Sequence, residues 1–101
     1  MHARVQTASG KAMIALNGRF DFHAHREFKD CYDVPLKSGE VKELEIDMGR
    51  VEYLDSAALG MLLMLKEKAG SANKTVALTN CRGAIRQVLD IANFGELFPI
   101  K

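Results

Sequence analysis

An aspartate and a serine stand side by side at positions 55 and 56, directly ahead of the apolar run Ala57-Ala58-Leu59-Gly60-Met61-Leu62-Leu63-Met64-Leu65. Both are helix-capping residue types, because a side-chain oxygen can accept from the free N–H groups of a first helical turn. A serine at the first helical position is also a sound target for phosphorylation. The unpaired N–H groups and the helix dipole there favour a phosphate. The modification would add about −1.5 to −2 charges at one spot and leave the fold standing. Ser56 is thus the candidate modification site, and capping alone is its structural alternative.

Other chemistry is thinly represented. Asp21, Asp47 and Asp55 fall at strand ends and could pair as carboxylates, but capping accounts for Asp21 and Asp55. His23 and His25 are separated by one residue. On a helix that spacing sends them to different faces, which disfavours a shared metal. No GxGxxG, GxxxxGK[ST] or GxSxG pattern occurs, so nothing local cradles a nucleotide phosphate or builds a nucleophile elbow. Cys31 and Cys81 belong to no CxxC or Cys/His cluster and read as reduced, partly buried thiols. The chain is expected to be no enzyme and to need no cofactor or metal.

The elements that must position Ser56 follow from hydrophobic period. "RVQTA" and "KAMIALNG" flank Ser9-Gly10 and predict a hairpin, with Ile14 and Leu16 on one face. Asp21 is an N-cap, and Ala24, Phe28, Cys31 and Tyr32 recur at helical spacing until Pro35, near the helix end. "ELEIDMG" alternates, with Leu44, Ile46 and Met48 against Glu45 and Asp47. A helix follows, capped by Asp55 or Ser56 and stopped near Gly70. Leu59, Leu62, Leu63 and Ala69 make its core stripe, and Met61, Met64 and Leu65 lie on its flanks. "KTVALTN" is a strand with Val76 and Leu78 inward and Thr75, Ala77 and Thr79 outward. Asn80 then caps a third helix with the stripe Ile85, Val88, Leu89 and Ala92, ending at Asn93 to Gly95. "ELFPIK" can add a short strand, which Pro99 confines to an edge.

Because the strands alternate, one sheet face must be left largely uncovered. The fold class is α/β with α+β-like layering: a mixed four- to five-stranded sheet with helices mainly on one face, in one domain over residues 1–101. The 101 residues can bury a core, and 48% are hydrophobic and 27% charged. A net charge of +1 with interspersed signs argues against nucleic acid or an anionic membrane as partner. The N-terminus lacks the apolar region of a signal peptide, and no apolar run spans a bilayer. A cytoplasmic location is expected. Exposed methionines, Met61 and Met64, beside the helix start would form an adaptable docking surface.

"LNGRFDFHAHREF", "ELEIDMGRVEYLDSAALGMLLMLKEKAG" and "KTVALTNCRGAIRQVLDIANFGELFPI" together resemble the STAS domain, and more narrowly the bacterial anti-sigma factor antagonists. The D-S-x-x-L-G element at Asp55 to Gly60 is the most specific part. G-x-F-D at Gly18 to Asp21 and the "RQVLDIANF" segment support it. The resemblance implies partner switching. An anti-sigma factor that is also a serine kinase phosphorylates Ser56, a serine phosphatase restores it, and the unphosphorylated form binds the anti-sigma factor and releases sigma. Asp21 and Asp55 match the acids flanking that serine. With Ser56, Ala57, Met61 and Met64 they form the expected partner surface, on a loop that Tyr53 and Leu54 pin to the core. Many relatives have Ser-Gly where this chain has Ala57-Ala58, which leaves Ser56 the sole hydroxyl of the motif. Many also carry a further C-terminal helix, so the oligomeric state stays open between monomer and weak dimer. The alternative is a STAS subunit or sensor module regulating a membrane transporter complex.

Overall fold

The computed structural model describes residues 1–101. Strand β1 (His2–Ala8) turns at Ser9-Gly10 into β2 (Lys11–Phe20). Both turn residues have positive φ, 53° and 79°, which matches the twist of a tight antiparallel hairpin. A 3₁₀ turn (Phe22–Ala24) leads into α1 (His25–Lys37), which crosses to β3 (Glu43–Leu54). Helix α2 (Ser56–Ser71) crosses to β4 (Thr75–Thr79), and α3 (Gly83–Ile91) and a second 3₁₀ turn (Phe94–Glu96) complete the chain. The sheet order is β1-β2-β3-β4; the hairpin is antiparallel and the two helical crossovers join parallel pairs. The sheet is therefore mixed. The C-terminal segment runs beside β4 as an incipient fifth strand, through one parallel bridge between Leu78 and Ile100. Leu78 donates to the Pro99 carbonyl at 2.9 Å and accepts from the Lys101 N–H at 2.8 Å. Pro99 sits where no N–H is required of it.

One continuous core joins the inward strand residues Ile14, Leu16, Leu44, Ile46, Met48 and Leu78 to Phe28 of α1, Leu62 and Leu65 of α2, and Leu89 of α3. The alternation on β2 is strict, and Met13, Ala15 and Asn17 face outward. Strand β3 runs further than the alternating heptapeptide. Two register shifts against β2 each put one extra residue into β3. After the first, Val51 returns to the core although it is three positions past Met48. After the second, Leu54 is buried and Tyr53 turns outward, 41% exposed. Bulges of this kind re-aim a strand end. Leu54 alone therefore pins this end of β3, and the expected core anchor Tyr53 is a surface residue.

Helix α2 is rotated relative to the stripe expected from sequence. Met61 (7% exposed) and Leu65 (0%) are buried, and Leu63 (39%) is exposed. The run is apolar nearly all round, so its period cannot choose a face; contact with α1 and β4 chooses it. Two capping expectations, those for Asn80 and Asp21, are corrected. Asn80 does not cap α3: it adopts a left-handed φ of 56°, and its amide donates to Asp47 Oδ1 at 3.0 Å. The N-cap is Arg82, whose side chain makes no capping bond to the helix. Ala77 keeps the expected outward face, in register with Glu45 and outside the core cluster, but is covered there; Lys101 approaches Glu45 at 3.9 Å. Helix α1 ends at Lys37, two residues past Pro35, which lies near the helix end as expected. Asp21 caps the 3₁₀ turn, and Ala24 starts α1 without a side-chain bond.

The two neighbouring leucines of α2 provide a test. Truncating fully buried Leu62 to Ala should cost on the order of 2–5 kcal/mol, whereas Leu63→Ala should cost well under about 1 kcal/mol. Urea unfolding midpoints of the two variants, at equal m-values, check the assignment of faces.

Candidate functional site

The site is built where β2 and β3 end side by side, with Phe20 paired to Leu54. Each strand then hands over to a helical turn through an aspartate. Asp21 Oδ1 accepts from the His23 N–H at 3.0 Å. Asp55 Oδ1 accepts from the Ala58 N–H at 2.9 Å and so is the N-cap of α2. Asp55 Oδ2 also accepts from the Phe22 N–H at 3.3 Å. One carboxylate therefore holds the starts of both helical elements together. Negative charge at these two N-termini also complements the backbone dipoles. Arg19 Nε lies 3.5 Å from Asp21 Oδ2, and its guanidinium carbon is 4.1 Å from the Tyr53 ring centroid. This cation–π contact orders the exposed Tyr53.

Ser56 is the first residue of α2 and is exposed. The cap is made by Asp55, so the serine hydroxyl is not needed for it. Below Ser56 the helix period brings Gly60, Leu63, Met64 and Glu67 to the same exposed face. Of these, Leu63 is 39% and Met64 46% exposed. Phe22, 70% exposed, stands at the head of the face through its bond to Asp55. Added side-chain atoms at Gly60 would meet nothing within 4 Å. The gap in the ridge at that point is open to solvent.

Of the residues expected at this surface, Asp21, Asp55, Ser56, Ala57 and Met64 are brought together at the head and outer side of α2. Met61 is not among them, because it packs in the core. Phe22, Tyr53, Gly60 and Leu63 join the surface although none was expected there from the sequence, Tyr53 and Leu63 having been assigned to the core. Gly60 lay within the motif and carried a signal. The exposure of Phe22 and Tyr53 depends on the bulged strand end and had none. Asp47 stands apart from this junction. It accepts from the Gly49 N–H at 2.9 Å and from Asn80, so the three aspartates do not form a paired-acid site.

His23 and His25 are both exposed, and no group of three His, Cys, Asp or Glu side chains is arranged to hold a metal ion. The thiols are unsuited to nucleophilic chemistry at neutral pH. Burial pushes Cys31 up to about 11, with help from Glu27 and Asp30. Burial also pushes Cys81 up to about 11 against an opposing pull from Arg86. Both thiols are protonated near pH 7. No helix is long and apolar enough to cross a membrane.

Comparison with known proteins bears on the same segments. The family described as "Mlab, STAS domain" matches residues 3–99. A STAS-domain containing protein of Pseudomonas aeruginosa (strain UCBPP-PA14) is 41% identical over 95 residues, covering 93% of this chain and 92% of that protein. BtrV of Bordetella bronchiseptica, named as a candidate anti-sigma factor antagonist, is 25% identical over 59 residues, covering 58% of this chain and 51% of its own. Among solved structures, the anti-sigma factor antagonist SpoIIAA in its unphosphorylated form superposes with a TM-score of 0.74 at 17% identity, covering 98% of this chain and 86% of that one. A sulfate transporter family protein from Wolinella succinogenes superposes at 0.75 and 20% identity, covering 91% and 74%. At these identities the two superpositions speak to the fold.

Two outcomes follow from the junction and the thiols. Asp55→Ala, which removes a cap and the tie to Phe22, should destabilise by about 1–2 kcal/mol, and Ser56→Ala by less than about 0.5 kcal/mol; chemical denaturation of the pair measures the difference. Because the thiol pKa values are raised by folding, the stability they lend is intact at neutral pH and lost as pH climbs toward and through about 11. Iodoacetamide labelling of the native protein should accordingly be slow at pH 8 and rise toward half its maximal rate near pH 11. Rapid labelling at pH 8 would contradict the raised thiol pKa values of half-buried Cys31 and buried Cys81.

Proposed function

The chain belongs to the STAS domain family, and from that premise we propose that it is an anti-sigma factor antagonist that works by partner switching. The observation that carries the proposal is the division of labour at the head of α2. Asp55 caps the helix while Ser56, next to it, is exposed with its hydroxyl left over. In the proposed cycle an anti-sigma factor with serine kinase activity moves the γ-phosphoryl group of ATP onto Ser56 Oγ. The serine proton is lost and ADP leaves. A serine phosphatase reverses the state with water.

The phosphate would sit beside the free N–H groups of the first turn, which favour it, so the fold tolerates it. Its effect falls on the partner instead. The face running from Phe22 past Ser56 to Leu63 and Met64 is largely apolar. A dianion set at its head must be desolvated if a partner covers that face. A loss of about 3 kcal/mol is roughly a hundredfold in affinity, enough to exchange one partner for another. Unphosphorylated, the protein holds the anti-sigma factor and sigma is free. That SpoIIAA has been solved in phosphorylated as well as unphosphorylated form supports this reading. A cytoplasmic location accords with it.

A second reading, a STAS subunit or sensor module on a membrane transporter complex, draws on the likeness to the Wolinella succinogenes transporter family protein. It predicts a permease or its ATPase as the protein recovered on native pull-down, in place of a sigma regulator.

Calorimetric titration against the purified anti-sigma factors of the same genome tests the first reading. The unmodified protein and Ser56→Ala should bind one of them, and the Ser56-phosphorylated protein should bind it about a hundredfold more weakly. Met64→Lys should weaken the complex with little change in thermal midpoint. Equal affinity before and after phosphorylation would reduce Ser56 to a neighbour of the cap.

A further inference from the structure

The uncovered face of the sheet carries its charges in two unlike halves. Near the Ser9-Gly10 turn they are matched: Lys11 approaches Glu45 at 3.3 Å and Glu43 at 3.8 Å, and Lys101 reaches Glu45 at 3.9 Å. At the opposite end they are not. Arg4 of β1 and Arg50 of β3 are exposed, and neither takes part in any of the ion pairs of the protein. The one acid between them, Asp47, already accepts through Oδ1 from the Gly49 N–H and the Asn80 amide.

Register places the two arginines around a common floor. Arg4 pairs with Ala15, and Ala15 with Asp47; on the next outward rung His2 pairs with Asn17, and Asn17 with Arg50. β1 and β3 lie two strand spacings apart, about 10 Å. At these two rungs the central strand offers the short side chains Ala15 and Asn17, with the longer Met13 on the rung beyond. Long guanidinium side chains rising on either side of a low floor can close over it. Arg4, Ala15, Asn17 and Arg50 line one surface depression together with His2 and Asp47. The bulge at Gly49 puts Arg50 on this face: without the extra residue in β3, Arg50 would point to the core side. Gly49 itself is tightly enclosed there: a Cβ would lie 3.1 Å from Asp47 Oδ1 and 3.2 Å from Asn80 Cβ, so those side chains would have to give way.

We propose that this depression is an oxyanion site for a phosphate group, held by the guanidinium forks of Arg4 and Arg50 above Ala15 and Asn17. A tetrahedral phosphate offers oxygens to both forks at once, in the bidentate geometry that arginine favours. Two guanidinium charges against the single carboxylate Asp47 leave a net positive charge in the depression, which favours an anion there. A chloride ion has no oxygens for the forks. The site lies on the sheet face opposite the core that α2 covers, so it is separate from Ser56 and independent of partner switching. The phosphate can be free or be the end of a phosphomonoester.

Titration followed by amide NMR at constant pH tests this, with sodium phosphate, adenosine monophosphate and sodium chloride at matched ionic strength. Phosphate should give saturable shifts centred on Arg4, Ala15, Asn17 and Arg50. Affinity should fall at least tenfold in the Arg4→Gln/Arg50→Gln variant, whose thermal midpoint should stay near that of the native protein, and should hold in Lys11→Gln. Tighter binding of adenosine monophosphate would support a phosphomonoester as the source, and equal affinity would support the free ion. Equal shifts with chloride, unchanged binding in the double variant, or an equal loss in Lys11→Gln would each overturn the site.

Discussion

The Asp55 carboxylate is the constraint on which the functional end of the molecule depends. One oxygen satisfies the Ala58 N–H and so fixes where α2 begins, and the other takes the Phe22 N–H from the turn that leads into α1. Two strand ends and two helical starts meet at a single side chain. The exposed face of α2, the outward Phe22 and the position of Ser56 are all defined relative to it. Charge near a helix start is normally worth a fraction of a kcal/mol to about 1 kcal/mol, so its importance here is geometric. It decides which residue of the helix is first.

That choice separates the structural role of capping from the regulatory role proposed for Ser56, which the same two residues could have shared. Had Ser56 been the cap, modifying its hydroxyl would remove a structural bond with each cycle. With Asp55 as cap, the hydroxyl is spare and stability is insulated from its chemistry. The two bulges in β3 serve the same end by a different route. Each shifts the strand by one residue, which brings Leu54 inward as an anchor and leaves Tyr53 outside under the Arg19 guanidinium.

The layering gives the molecule two surfaces of different character. The helical side presents an apolar strip headed by acids. The uncovered sheet presents polar and charged rows, neutralised at one end and cationic at the other. Helices on one face force this division, because each strand must show alternate residues to water. A protein with net charge +1 can therefore hold a local excess of arginine that its total charge does not reveal.

The sequence by itself determined the elements, their order and most of the core. Strict alternation in "KAMIALNG" and "ELEIDMG" fixes which residues face inward, Ser9-Gly10 marks the turn, and Asp55-Ser56 marks the start of α2 without deciding which of the two caps it. The Asp55-Ser56 pair could be found for the same reason, since its signal is local. What only tertiary structure decided is wherever local pattern is degenerate. The run from Ala57 to Leu65 is apolar on nearly every side, so its period left Met61 and Leu63 interchangeable until α1 and β4 packed against it. Asn80 has the right type for a cap, but a carboxylate from a neighbouring strand, Asp47, took its amide. The outward turn of Tyr53 and Arg50 came from extra residues in the register between β2 and β3. No spacing within one strand records a bulge, because a bulge is a mismatch between two strands.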